Sequence, residues 1–204
     1  ALLQTNTLRQ FDDRLQRELS QRLGCSVIGL YLYSEMATAF SPVSESLRDP
    51  ASPAYPIAQL PASGTIKEAA VLAGEAILTG DLSTSPWTEA RAIAPHISYG
   101  TSVLVSPIRM SCESVTGTAA KTLGVIAAVA PGKPGAFCEE DRIWLDQLSR
   151  HIAPVLTAVL AAEERDTLVA INNQVVLGTL TLDNLIHSIQ PILREVIHHD
   201  ITGL

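Results

Sequence analysis

The chain is poor in aromatic side chains, which make up 4% of its 204 residues. A core must therefore be assembled from Ala, Val, Leu and Ile. Apolar residues reach 47%, and a chain this long buries most of the surface that its unfolded form exposes. Runs of Lys and Arg are missing too. Fourteen basic residues stand against 21 acidic ones, for a net charge of −7, and nothing here lines a phosphate backbone, so direct nucleic-acid contact by this segment is not expected. No uninterrupted apolar run approaches the roughly 18 residues of a membrane span, so no membrane association is expected either. The N-terminus lacks the basic-then-apolar pattern of a secretory leader. Cysteine is scarce: Cys25, Cys112 and Cys138 form neither a zinc spacing nor a CxxC pair, nor a disulfide framework. A reducing cytoplasm is the simpler setting.

The richest stretch runs from Ser102 to Leu148. Two β-rich runs, Ser102–Arg109 and Thr122–Ala130, are joined by a polar, Gly-containing connection, which is a hairpin signal. A Pro- and Gly-rich turn follows, and Phe137–Asp141 opens a long helix with an acidic first turn. Upstream, Leu8, Phe11, Leu15, Leu19 and Leu23 recur at helical spacing, and Gly24 stops that helix. Cys25 to Tyr33 is nearly all apolar and suits a central strand covered on both faces. Glu35 to Phe40 turns and begins another strand. Ser41 to Pro61, with its prolines, reads as a loop. Thr65 to Leu72 reads as a short helix capped at Ser63, and Gly74 to Asp81 as a turn and short strand.

Downstream, the helix from Glu139 is expected to reach about Leu177, with Pro154 kinking it. Leu145, Leu148, Ile152, Val155, Val159, Ala162, Val169 and Val176 share one seam at alternating three- and four-residue steps, broken by Asp166 and Asn173. A further amphipathic helix, capped by Thr181, carries Leu182, Leu185, Ile186, Ile189, Leu193 and Val196 on one face. Helix, short linker, strand is also how the chain begins, so the tail reads as the start of a second copy of one domain. A chain that begins at Ala1 and ends at Leu204 is expected to be a fragment of something longer.

The order of pieces, carried by Ser102, Pro107 and Gly124, then Phe137, Asp141 and the helix from Ile143 to Leu148, resembles the second half of a GAF domain. The likeness extends over most of residues 7–165. The tail, with Asn172–Val176, Leu180–Leu185, Leu193–Val196 and His199–Asp200, resembles the junction between tandem GAF domains in sigma-54-dependent regulators of the formate hydrogenlyase transcriptional activator type. The resemblance implies a sensory and dimerisation module whose ATPase and DNA-binding partners lie in other domains. It names no cofactor or ligand.

Chemistry of other kinds finds little support. Lys121-Thr122 follows Gly117 without the Gly-before-Lys of a phosphate loop and leads into a strand, so it reads as a structural hairpin. His198 and His199 project about 100° apart on a helix and read as a helix end beside its negative pole. The resemblance to a GAF-fold family that reduces free methionine sulfoxide draws attention to the cysteines. Cys138 at a helix start can have a lowered thiol pKa, but no neighbouring base accompanies it, and an incidental cysteine is the competing reading. The chain is not expected to be an enzyme.

Ser102, Leu104 and Ser106 alternate with Val103 and Val105. The Val face is expected to meet the terminal helices and the Ser face the segment from residue 41 to 100, where the resemblance places ligands. Trp87, His96, Tyr99, Ser102 and Ser106 are thus the candidate ligand contacts, against the plainer reading of ordinary packing residues. The expectation is an α+β fold in which N- and C-terminal helices flank one face of a central antiparallel sheet of five or six strands. Residues 1–165 form the GAF-like sensory domain, and 166–204 are linker helices leading into a truncated second domain. The expected partners are a small-molecule effector and a second copy, bound through the terminal helices in a homodimer. The alternative is a ligand-free GAF dimerisation module of a histidine kinase or other signalling protein.

Overall fold

The computed structural model describes residues 7–25, 27–43, 60–87, 100–114 and 117–176. Helix α1 (Leu8–Leu23) is capped by Thr7, whose side chain accepts from the Gln10 N–H, and it stops at Gly24. Strands β1 (Val27–Ser34) and β2 (Ala39–Pro42) follow, then the short β3 (Leu60–Pro61), α2 (Ile66–Ala73) and β4 (Ile77–Thr79). The long hairpin of β5 (Ser102–Ser114) and β6 (Gly117–Ala130) leads into α3 (Glu139–Val176).

The six strands among the described residues form one sheet in the order β3-β2-β1-β6-β5-β4, with every described pairing antiparallel. The expected central hairpin is present, with Ser102 opposite Ala130 and Arg109 opposite Thr122. Both of its strands run further toward the connection than the β-rich runs suggested. The register shifts between Ile108 and Arg109: Ile108 faces Gly124 and Arg109 faces Thr122, so Leu123 is the extra residue of a bulge. Gly124 is required there, because a Cβ would run into the backbone carbonyl of Tyr31 on β1.

Each face carries its own core. Phe11, Leu15 and Leu19 of α1 and Leu145, Ile152 and Leu156 of α3 pack on Leu30, Leu104, Ile108 and Ile126. On the reverse face, Ile66 and Ala70 of α2, with Leu82, pack on Tyr31, Val103, Val105 and Val125. A strand between two apolar layers reads as a nearly unbroken apolar run, which is what Cys25 to Tyr33 shows.

Several local expectations change. The cap of α2 is Thr65, not Ser63. Its hydroxyl oxygen accepts from the Glu68 N–H at 3.1 Å, while Glu68 reaches back to the Gly64 N–H at 2.7 Å, a reciprocal cap that Ser63 is too far upstream to make. Ser41 and Pro42 belong to β2 and Leu60–Pro61 to β3, so the expected loop is trimmed at both ends. Helix α3 runs through Pro154, as expected. That proline lies on the exposed side, where water can reach the Arg150 carbonyl it leaves without an amide partner. The helix, histidines and second domain expected over 178–204 lie outside the described residues.

Candidate functional site

The alternation along β5 gives two sets of residues, but the structure assigns them to the opposite faces from those expected. Leu104 joins the core beneath α1 and α3, whereas Val103 and Val105 join the one beneath α2. Ser102 and Ser106 therefore lie under the terminal helices, both fully buried. The physical reason is steric. Small groups at 102 and 106, with Ala128 and Ala130 on β6, leave room for the long α3, while the branched valines fill the space beneath the two-turn α2. Ser102 Oγ donates to the Thr79 carbonyl at 3.1 Å and ties β4 to β5. Among the described residues, Ser106 Oγ has no hydrogen-bonding partner.

Of the other candidate contacts, Trp87 is half-buried and packs against the α2-side cluster. His96 and Tyr99 lie outside the described residues. The structure thus places Trp87 on one face of the sheet and the two serines on the other.

What the sequence reading missed is Lys67. It is 4% exposed, and its Nζ stands 4.8 Å from the centroid of the Tyr31 ring, a cation–π contact within an otherwise apolar layer. Tyr33 stacks at a tilt on Phe40, ring centroids 5.1 Å apart. Burial first, and then the carboxylates of Glu35 and Glu68, push the Tyr33 hydroxyl pKa up. The signal for Lys67 was available in the phase of α2. Ile66 and Ala70 mark its buried side, and residue 67 lies 100° from the first of them, at the edge of that side. A long aliphatic stem lets a lysine occupy such an edge.

Two cysteines have described side chains, Cys25 and Cys138, and both are free. Cys25 is buried, and burial raises its thiol pKa. Cys138 is exposed, with Sγ 3.2 Å from Asp141 Oδ2. Hydrogen bonding to Glu140 and then to Asp141 pushes its pKa up, so the lowering expected at a helix start is outweighed by first-turn carboxylates. Among the described residues, no group of three His, Cys, Asp or Glu side chains could hold a metal ion, and no helix is long and apolar enough to cross a membrane. Gly117–Thr122 is plain β6 strand, as the hairpin reading expected.

An antiparallel six-stranded sheet, long terminal helices on one face and a short helix on the other define an α+β module of GAF architecture. No family model matches the chain, and no curated protein matches it. Solved structures do. The GAF domain of a phosphoenolpyruvate-protein phosphotransferase from Coxiella burnetii superposes with a TM-score of 0.61 at 16% identity, covering 80% of this chain and 90% of that one. The corresponding Acinetobacter domain gives 0.59 at 16% identity, with the same coverages. Free methionine-R-sulfoxide reductase from Neisseria meningitidis, solved with its substrate, gives 0.58 at 17% identity, covering 79% and 84%. The chain has a GAF fold.

Proposed function

We propose that this chain is the sensory and dimerisation module of a bacterial sigma-54-dependent transcriptional activator. A small-molecule effector bound on the α2 face biases α3, and α3 carries that bias to ATPase and DNA-binding domains elsewhere in the protein. The observation that carries the reading is the length of α3. Its 38 residues span roughly 57 Å at 1.5 Å per residue. Its buried core residues end at Val159, and the Leu8 N–H to Glu163 contact, 2.6 Å, ties the start of α1 to it one turn further on. Beyond that, Leu168 and Val169 are 59% and 51% exposed on a helix that continues unbroken past Arg165. Such a projecting apolar edge suits a parallel coil with a second copy, which sets two output domains side by side.

The effector site is proposed between the α2 face and the segment from Pro56 to Gly100, with Trp87, His96 and Tyr99 as contacts and the buried Lys67 as its cationic edge. The GAF domains among the similar structures support a signalling role, and the sigma-54 assignment rests on the tail residues quoted above. One observation favours the alternative of a ligand-free module in a histidine kinase or other signalling protein. Ile66, Ala70, Leu82, Val103, Val105 and Val125 fill the described part of the α2 face at 3% exposure or less. A thermal-shift panel of formate, 2-oxoglutarate and cyclic nucleotides separates the two. A ligand at a hundred times its Kd stabilises by about 2.7 kcal/mol, and no shift across the panel leaves the ligand-free module. Dimerisation is read by light scattering: Leu168→Glu with Val169→Glu yields folded monomers, and a wild type already monomeric at micromolar concentration overturns that part.

A further inference from the structure

The connection between α2 and β4 is held from the far side of the sheet. Strand β4 is an edge strand, and the turn that enters it, Gly74 to Ala76, reaches round that edge to α3. Both polar groups of Ala76 are taken by α3 side chains. Its N–H donates to Asp146 Oδ1 at 3.1 Å, and its carbonyl accepts from Arg142 Nη1 at 3.2 Å. Residues 142 and 146 are four apart and so share one side of the helix. Asp146 is braced in turn by Arg150 at 2.7 Å, and Arg142 by Glu139. The Gly74 carbonyl accepts from Arg109 Nη1 of β5 at 3.0 Å. Gly74 closes α2 at φ 70°, its N–H bonded to the Ala70 carbonyl, and a Cβ there would run into the Arg109 guanidinium. The turn therefore admits little beyond glycine at its first position.

We infer that this turn is the mechanical link by which movement of α2 on one face of the sheet reaches α3 on the other. It rests on the proposal that an effector acts at the α2 face, and adds the route the signal takes. Helix α2 has two turns, and its C-terminal cap is the residue Arg109 grips. A shift or tilt of α2 displaces Gly74 and Ala76. The charge-assisted contacts to Arg142 and Asp146 transmit that displacement to the first turns of α3.

Backbone hydrogen exchange on the full chain tests the link without any ligand, so its failure and a failure of the effector reading are seen separately. Ala70→Gly loosens α2 and is expected to raise exchange there about fivefold. In the otherwise wild-type chain, exchange across Arg142–Arg150 rises with it, and by more than Ala39→Gly, in β2, produces. With Asp146→Ala added, the α2 response stays and the α3 response drops to the level of that control. Asp146→Asn, which keeps an acceptor for the Ala76 N–H, retains the coupling. Arg142→Met removes the other arm on a partly exposed side chain and serves if Asp146→Ala does not fold. An α3 response that is absent from the start, or equal with and without these side chains, overturns the inference.

Discussion

Two serines on one face of β5 are expected to answer the same substitution with opposite signs. Ser106 Oγ is fully buried beneath the terminal helices without a hydrogen-bonding partner among the described residues. Burying an unsatisfied hydroxyl costs about 1–3 kcal/mol, and replacing it with an apolar group of similar shape removes that cost. The small loss of packing from one missing oxygen offsets part of the gain, so Ser106→Ala should stabilise by about 1 kcal/mol. Ser102 is equally buried, but its Oγ donates to the Thr79 carbonyl at 3.1 Å. Ser102→Ala loses that bond and loosens the edge strand, a destabilisation of about 1 kcal/mol. In a domain of this size each kcal/mol moves Tm by roughly 2–4 °C, so the two variants should separate by about 4–8 °C with unchanged urea m-values. Urea unfolding and calorimetry at neutral pH measure both quantities. Equal destabilisation by the two substitutions refutes the reasoning, because the Ser106 hydroxyl would then be engaged and its face would regain a claim to binding.

Gly124→Ala drives a methyl group into the Tyr31 carbonyl between the two central strands. A loss of about 3 kcal/mol or more in urea unfolding is expected, and one under about 1 kcal/mol shows that β1 can yield. Cys138, its thiol pKa raised by Glu140 and Asp141, should react with iodoacetamide more slowly than a small free thiol at pH 7.5, and Glu140→Gln with Asp141→Asn should quicken it. Asp81 caps the Leu82–Thr84 turn by accepting from the Ser83 N–H and hydroxyl, which hold its carboxyl below the usual range. A folded pKa depressed in this way contributes stability in full above the unfolded value, near 3.9, and loses it as pH falls through the folded one. Asp81→Ala should therefore lower Tm at neutral pH, with the gap from wild type closing as pH falls below about 4. A gap independent of pH excludes the carboxylate as the source.

Local signals were legible wherever they are written in period and punctuation. The stripe from Phe11 to Leu19, the stop at Gly24, the β5–β6 hairpin and the acidic start of α3 all follow from residues within a few positions of one another. The layering came with the resemblance to GAF domains, and it agrees with two amphipathic helices needing one sheet face to bury against. Alternation along Ser102–Ser106 told which residues share a face, because successive side chains in a strand point to opposite sides. It did not tell which face α3 would cover, since that depends on how much room α2 and α3 each need on a sheet apolar on both sides. The choice between Ser63 and Thr65 as cap turned on the reach of Glu68, and the burial of Lys67 on the Tyr31 ring beneath it. The grip of Arg142 and Asp146 on Ala76 joins residues 66 and 70 positions apart. No local pattern encodes such a contact. It exists only once β4 has taken its place at the sheet edge beside α3.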